Sequence, residues 1–228
     1  PVINANIQKD VKLIAIMHNS DRGFTDTMAS LMQKTFSKIY TINNISSSPI
    51  VKTIPLGFVD NKYKNNSMFK QIQFENNDHT ILLYMNFAIQ TNIPKRIECF
   101  NYFSTDIFKE VIVTESNLQP INFYRQVSKS KYVISPQGTG IDCHRIYESL
   151  FFNSIPIIKR SGTPMDVFYE QLPVLLVNNW EDITPTILND KYELLLSNVK
   201  TWKEENPNWI HASHWIEEHV RSDTCSKC

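Results

Sequence analysis

Residues 131–159 read KYVISPQGTGIDCHRIYESLFFNSIPIIK, and few folds accept such a run. The first five residues are β-branched or aromatic in large part, the composition of a buried strand. Pro136 ends that stretch, and Gly138 and Gly140 punctuate the loop after it. From Ile141 the apolar residues Ile141, Ile146, Tyr147, Leu150 and Phe151 fall at helical intervals, with Asp142, His144, Arg145, Glu148 and Ser149 on the remaining face. Residues 154–159 (SIPIIK) form a second apolar run. Strand, glycine loop, helix and strand make a βαβ unit. Its loop faces the carboxyl end of a strand, where open α/β sheets bind ligands.

The chemistry of that loop follows from its neighbours. A helix starting near Ile141 points free backbone N–H groups and the positive end of its dipole into the Gly138–Thr139–Gly140 turn. Such an end suits a phosphate. Arg145, about one turn in, adds a planar fork of donors for phosphate oxygens. Glu148 shares its face and can accept from sugar hydroxyls. A plainer reading stands beside this one: Asp142 caps the helix, and Arg145 with Glu148 is a solvated pair worth a few tenths of a kcal/mol. Residue chemistry leaves both open. Asp142 weighs slightly against an anion site unless it points away or serves as a cap.

Upstream, residues 11–17 (VKLIAIM) read as a strand, and His18–Asn19–Ser20–Asp21 forms a polar loop at its carboxyl end. His18 and Asp21 lie where a base could take a proton from an acceptor hydroxyl, although the same four residues suit a turn held by Asn and Asp side chains. A helix from Thr25 to about residue 36 and strands at 39–42 and 50–54 complete a small α/β unit. Residues 62–78 are polar and rich in asparagine, and read as a linker or insertion. A new buried strand follows at 80–87, then a loop with Asn86 and a helix start at Pro94, Lys95 and Arg96. Further strands are expected at 110–114 and 174–177, with helices at 120–130, 184–198 and 207–220. The divisions are 1–76 for a small N-terminal α/β lobe on the acceptor side, 77–198 for a Rossmann-like lobe, and 199–228 for a C-terminal helix and tail. Strands apolar throughout, alternating with helices, indicate a mainly parallel sheet covered on both faces.

With those pieces in place, SPQGTGIDCHRIYESLFFNSIPIIK followed by LPVLLVNNW at 172–180 resembles the nucleotide-sugar half of exostosin-type glycosyltransferases, nearest to their viral and bacterial relatives. HNSD at 18–21, IPLGFVDNKY at 54–63 and LLYMNFAIQTNIPKR at 82–96 fit the same group in order and spacing. The resemblance implies a GT-B-like α/β fold, with the donor held by the second lobe, and transfer of a sugar from a nucleoside diphosphate sugar to a hydroxyl of a glycan or glycoprotein. It implies a diphosphate-binding role for Arg96, and it makes Asn86, Thr139 and Lys159 further donor-site candidates. The alternative is an inactive glycan- or nucleotide-binding module of the same fold.

Composition removes other classes. Lys+Arg and Asp+Glu number 23 each, so no net charge recruits a nucleic acid. No apolar run reaches the roughly 18 residues of a membrane span, and no signal peptide is visible, which favours a cytoplasmic or viral setting. Pro1 in place of Met points to an upstream segment that could hold an anchor. Gly138-x-Gly140 begins a dinucleotide fingerprint, but Cys143 stands where its third glycine belongs. No Asp-x-Asp occurs, so the expected mechanism uses positive side chains rather than a metal, and no cofactor. Cys225-x-x-Cys228 with His211, His214 and His219 nearby is a weak zinc pattern.

Overall fold

The computed structural model describes residues 13–59, 65–75, 78–114 and 118–216. Two parallel sheets organise the chain. The first holds β1 (Leu13–Met17), β2 (Phe36–Thr41) and β3 (Val51–Thr53) in that order. Its small core of Ala15, Phe24, Ala29, Ile39 and Val51 lies under α1 (Asp26–Met32). Thr25 caps α1 by accepting from Met28 N. The helix stops at 32 rather than 36, because Phe36 already pairs with Leu13 in the sheet. Ile14 and Ile16 remain 42% and 52% exposed, so this sheet is covered less completely than the apolar run predicts.

The second sheet has the order β5-β4-β6-β7-β8, all parallel, from β4 (Ile81–Met85), β5 (Ile112–Thr114), β6 (Ser130–Ile134), β7 (Ile155–Lys159) and β8 (Leu175–Val177). Side-chain alternation explains why its strands are apolar throughout. Leu83, Met85, Tyr132, Ile134, Ile155 and Ile157 enter the larger core, while Tyr84 and Val133 enter a second core on the opposite face. Both faces are buried, as a parallel sheet requires. The chain reverses direction across the sheet between β4 and β6. That is the switch point, where a crevice opens beyond the carboxyl ends of the strands.

α3 (Ile93–Phe103), α5 (His144–Phe151), α6 (Met165–Tyr169) and α7 (Pro185–Glu205) contribute to the larger core. α4 (Pro120–Ser128) and α2 (Asn65–Phe74) build the second one. α2 lies within 62–78, the stretch that reads as a linker or insertion, and its packing rules out the plain linker. Phe69 and Ile72, three residues apart, are buried, and Phe69 packs edge-on to Tyr124 of α4 at 4.6 Å. By packing, α2 belongs with the second sheet.

α7 extends to Glu205 rather than 198, and burial of Leu188, Tyr192 and Val199 fixes its inner face. Residues 207–211 are turns, and helix resumes over 212–216, where a single helix from 207 is expected from the sequence. Trp215 Nε1 donates to the Trp209 carbonyl at 2.8 Å and pins this corner. The Cys225–Cys228 pair and His219 lie outside the described residues. None of the described helices is long and apolar enough to cross a membrane.

The two sheets meet through one continuous core. Tyr40, Ile42 and Ile54 join the larger cluster with Tyr147, Met165 and Trp215.

Candidate functional site

The loop between β6 and α5 carries the switch-point crevice. α5 begins at His144, three residues later than the periodicity indicates, with Cys143 in extended conformation ahead of it. Asp142 therefore stands before the helix and turns away from the crevice. Its carboxylate accepts from Leu56 N (2.9 Å), Tyr147 Oη (2.6 Å), Cys143 N (2.9 Å) and Tyr169 Oη (3.1 Å). Burial outweighs these donors and holds its carboxyl above the usual range. Asp142 fastens the first sheet's connector to the second sheet, and its charge does not face an anion in the crevice.

The two glycines of the loop serve close approach. A Cβ on Gly138 would meet Arg96 Nη2 at 2.8 Å, and one on Gly140 would meet the Asn43 amide at 2.7 Å. Asn43, in turn, accepts from Asp142 N and donates to the Ser20 carbonyl. Thr139 is exposed between them.

Beyond the loop lies a cleft of about 460 Å³. Asn86 from the end of β4, Arg96 from α3, Phe123 and Tyr124 from α4, and His144, Arg145 and Glu148 from α5 line it. Arg96 is 6% exposed, because its Nε and Nη1 donate to the Gln137 (2.9 Å) and Ala88 (2.8 Å) carbonyls. It braces the loop after β6 against the loop after β4. Burial and the like charge of Arg145 draw its pKa down to about 10, so the brace stays charged at neutral pH.

Arg145 is placed differently. Its Nε is buried without a hydrogen-bond partner, and the guanidinium sits 6.0 Å over the Phe123 ring. A buried donor with no acceptor costs on the order of 1–3 kcal/mol. Glu148, 4% exposed, accepts from Tyr124 Oη at 2.8 Å, and burial raises its pKa against the pull of Tyr124, His144 and Arg145. Burial also lifts the Cys143 thiol to about 11, so it is protonated at neutral pH.

Of the residues singled out in the sequence, the structure gathers Asn86, Arg96, Arg145 and Glu148 around one cleft. Lys159 lies elsewhere, ion-paired with Glu98. His18 lines a separate apolar cavity of about 420 Å³ with Phe58, Trp209 and Trp215. The side chain of Asp21 is exposed on the neighbouring loop. Sequence reasoning missed His144, Phe123 and Tyr124. The signal for the latter two was their place on the helix preceding β6, beside the switch point.

Residues 87–218, more than half of the chain, match the model of a family described as the RXYLT1 C-terminal domain. No individual curated protein matches the chain. The match starts immediately after β4 and takes in the whole cleft apart from Val59 and Asn86. With α3 to α7, the loop between β6 and α5 and both cleft arginines inside that match, the chain belongs to the RXYLT1 C-terminal domain family, a glycosyltransferase family.

Proposed function

We propose that the cleft binds a nucleoside diphosphate sugar and that the protein transfers its hexosyl or pentosyl group to a hydroxyl of a glycan or glycoprotein. The observation that carries this reading is Arg145, a guanidinium held in a cleft with a buried donor that no described residue satisfies. The side chain as a whole is only half-buried and lines the cleft, where its guanidinium would donate to diphosphate oxygens. In the transfer, the acceptor oxygen bonds to the anomeric carbon, the bond from that carbon to the diphosphate breaks, and the acceptor hydroxyl's proton passes to water or to a base on the acceptor side. Negative charge grows on the departing diphosphate, so donors already aimed at it lower the barrier.

Arg145 would supply that charge, and Arg96 would keep the two crevice loops in register. Glu148, which accepts from Tyr124 and from the Val59 backbone, would use a remaining lone pair to accept from a sugar or ribose hydroxyl, and Phe123 offers a ring face. Positive side chains would neutralise the diphosphate without a metal. The first sheet would supply the acceptor side of a GT-B-like pair, with His18 and Asp21 on its rim.

The test is a melting measurement. Uridine or guanosine diphosphate at about a hundredfold over its Kd adds about 2.7 kcal/mol to stability, which for a chain of this size raises Tm by roughly 5–10 °C. Arg145→Ala abolishes the rise. A variant stabilised as much as the parent removes Arg145 from the site. Saturable hydrolysis of a sugar nucleotide separates an enzyme from a binding module that has lost turnover.

A further inference from the structure

We propose that His144 is a proton-gated ligand of the diphosphate, so that the cleft holds its nucleotide more tightly as the imidazole takes up a proton. This inference rests on the diphosphate reading of the cleft. His144 is the first residue of α5 and lines the cleft beside Arg145 and Glu148. Its Nδ1 lies 2.7 Å from the carbonyl oxygen of Gly57, on the connector that leaves the first sheet. A carbonyl only accepts, so Nδ1 carries a hydrogen in both charge states of the ring. The change of charge therefore falls on Nε2, the nitrogen left over for the cleft.

The charges around the ring decide the direction. The cleft sets His144 among Arg145 and Glu148 of α5, the protonated Cys143 thiol just ahead of that helix, Arg96 of α3 and Tyr124 of α4. The connector faces it with Val59 and the Gly57 carbonyl. Arg96 donates only to carbonyls, and Arg145 has no carboxylate partner among the described residues. Among the described residues that line the cleft Glu148 is the one carboxylate, and it already accepts from Tyr124.

Two guanidinium groups oppose a third positive charge in the empty cleft. A diphosphate reverses that balance, because it brings at least two negative charges. Proton and nucleotide then favour each other's binding by the same factor. Neutral His144 would instead aim a lone pair at phosphate oxygens.

Calorimetric titration of uridine and guanosine diphosphate into the parent, His144→Asn and Arg145→Ala, across about pH 6 to 8.5, tests the proposal. The asparagine amide nitrogen overlays Nδ1 and keeps the bond to Gly57. We expect the parent's Kd to tighten about five- to tenfold toward the acid end, one pKa unit being a tenfold change. His144→Asn should match the parent at the alkaline end and stay within about twofold of that value throughout. The nucleotide's own phosphate ionisation, near pH 6, weakens binding on the acid side and so cannot imitate this slope.

A flat parent, or a slope that survives in His144→Asn, overturns the inference while leaving the cleft reading intact. Absence of nucleotide binding at every pH, or binding by Arg145→Ala equal to the parent, sinks the cleft reading and this inference with it. Should His144→Asn misfold, the imidazole resonance of His144 in the parent decides. Its titration midpoint must rise on adding uridine diphosphate, and an unmoved midpoint overturns the proposal.

Discussion

Glu148 shows how one side chain ties stability to function. Its carboxylate is buried, accepts from Tyr124, and has a pKa raised mainly by burial. A raised folded-state value means that the folded protein keeps the proton at a pH where the unfolded chain has released it. Stability from this group is therefore full at acid pH and declines as pH rises through the folded value. Glu148→Gln leaves one oxygen to accept from both Tyr124 and the Val59 backbone, and it cannot ionise. We expect it to stabilise the ligand-free protein by about 1 kcal/mol at pH 7.5, to lose that gain near pH 4, and to respond less to nucleoside diphosphate. Denaturant midpoints at the two pH values check this; a variant less stable than the parent at pH 7.5 sinks it. The same trade recurs at Arg145, whose buried Nε is tolerated without a partner. Arg145 and Glu148 could be named from their spacing on a helix. The role of Arg96 as a brace could not, because its acceptors at Gln137 and Ala88 are backbone carbonyls that only the folded loops bring within reach.

At the scale of elements, α5 is eight residues long and too short to persist alone. Its ends are held from outside. Asn43, Leu56 and Gly57 grip residues 142–144, and Lys203 of α7 donates through Nζ to the Leu150 and Phe151 carbonyls and to Asn153 Oδ1. Lys203 thus satisfies carbonyls that a helix leaves without partners at its C-terminus. Lys203→Met keeps the aliphatic stem and strips the donors. It should cost about 1–3 kcal/mol, read from urea midpoints, and a change below a few tenths would show that water replaces the ammonium. The strands of the second sheet were legible, since burial on both faces leaves a continuous apolar run. So was α5, by its period. α2 was not, because its polar composition hid two buried residues, Phe69 and Ile72, whose partners lie on α4 and at Phe152, far along the chain. The late start of α5 was equally hidden: Ile141 and Asp142 fit the helical period, but hydrogen bonds from the first sheet's connector and Asn43 hold Asp142 ahead of the helix.

For the molecule as a whole, the question is whether two sheets make two independent bodies. Their sequences look separable, with a polar stretch between them, yet the packing joins them. Tyr40, Ile42 and Ile54 from the first sheet and its connector sit in the same buried cluster as Ile134, Tyr147, Met165 and Trp215. The polar ties cross at the same place, through Asp142 and His144. Among the described residues the first sheet's own core buries five, Ala15, Phe24, Ala29, Ile39 and Val51, too few to offset the conformational entropy of its loops. It therefore depends on the second sheet, while the second depends on the connector to hold α5. Unfolding should be a single cooperative transition in calorimetry, with van 't Hoff and calorimetric enthalpies in agreement. Asn43→Ala, which frees Asp142 N and leaves Gly140 without its neighbour, should lower that one transition by about 1–3 kcal/mol without splitting it. Two resolved transitions in the parent would mean that the cleft's positioning bonds span an interface that opens before the protein unfolds, and nucleotide binding would then have to close it first.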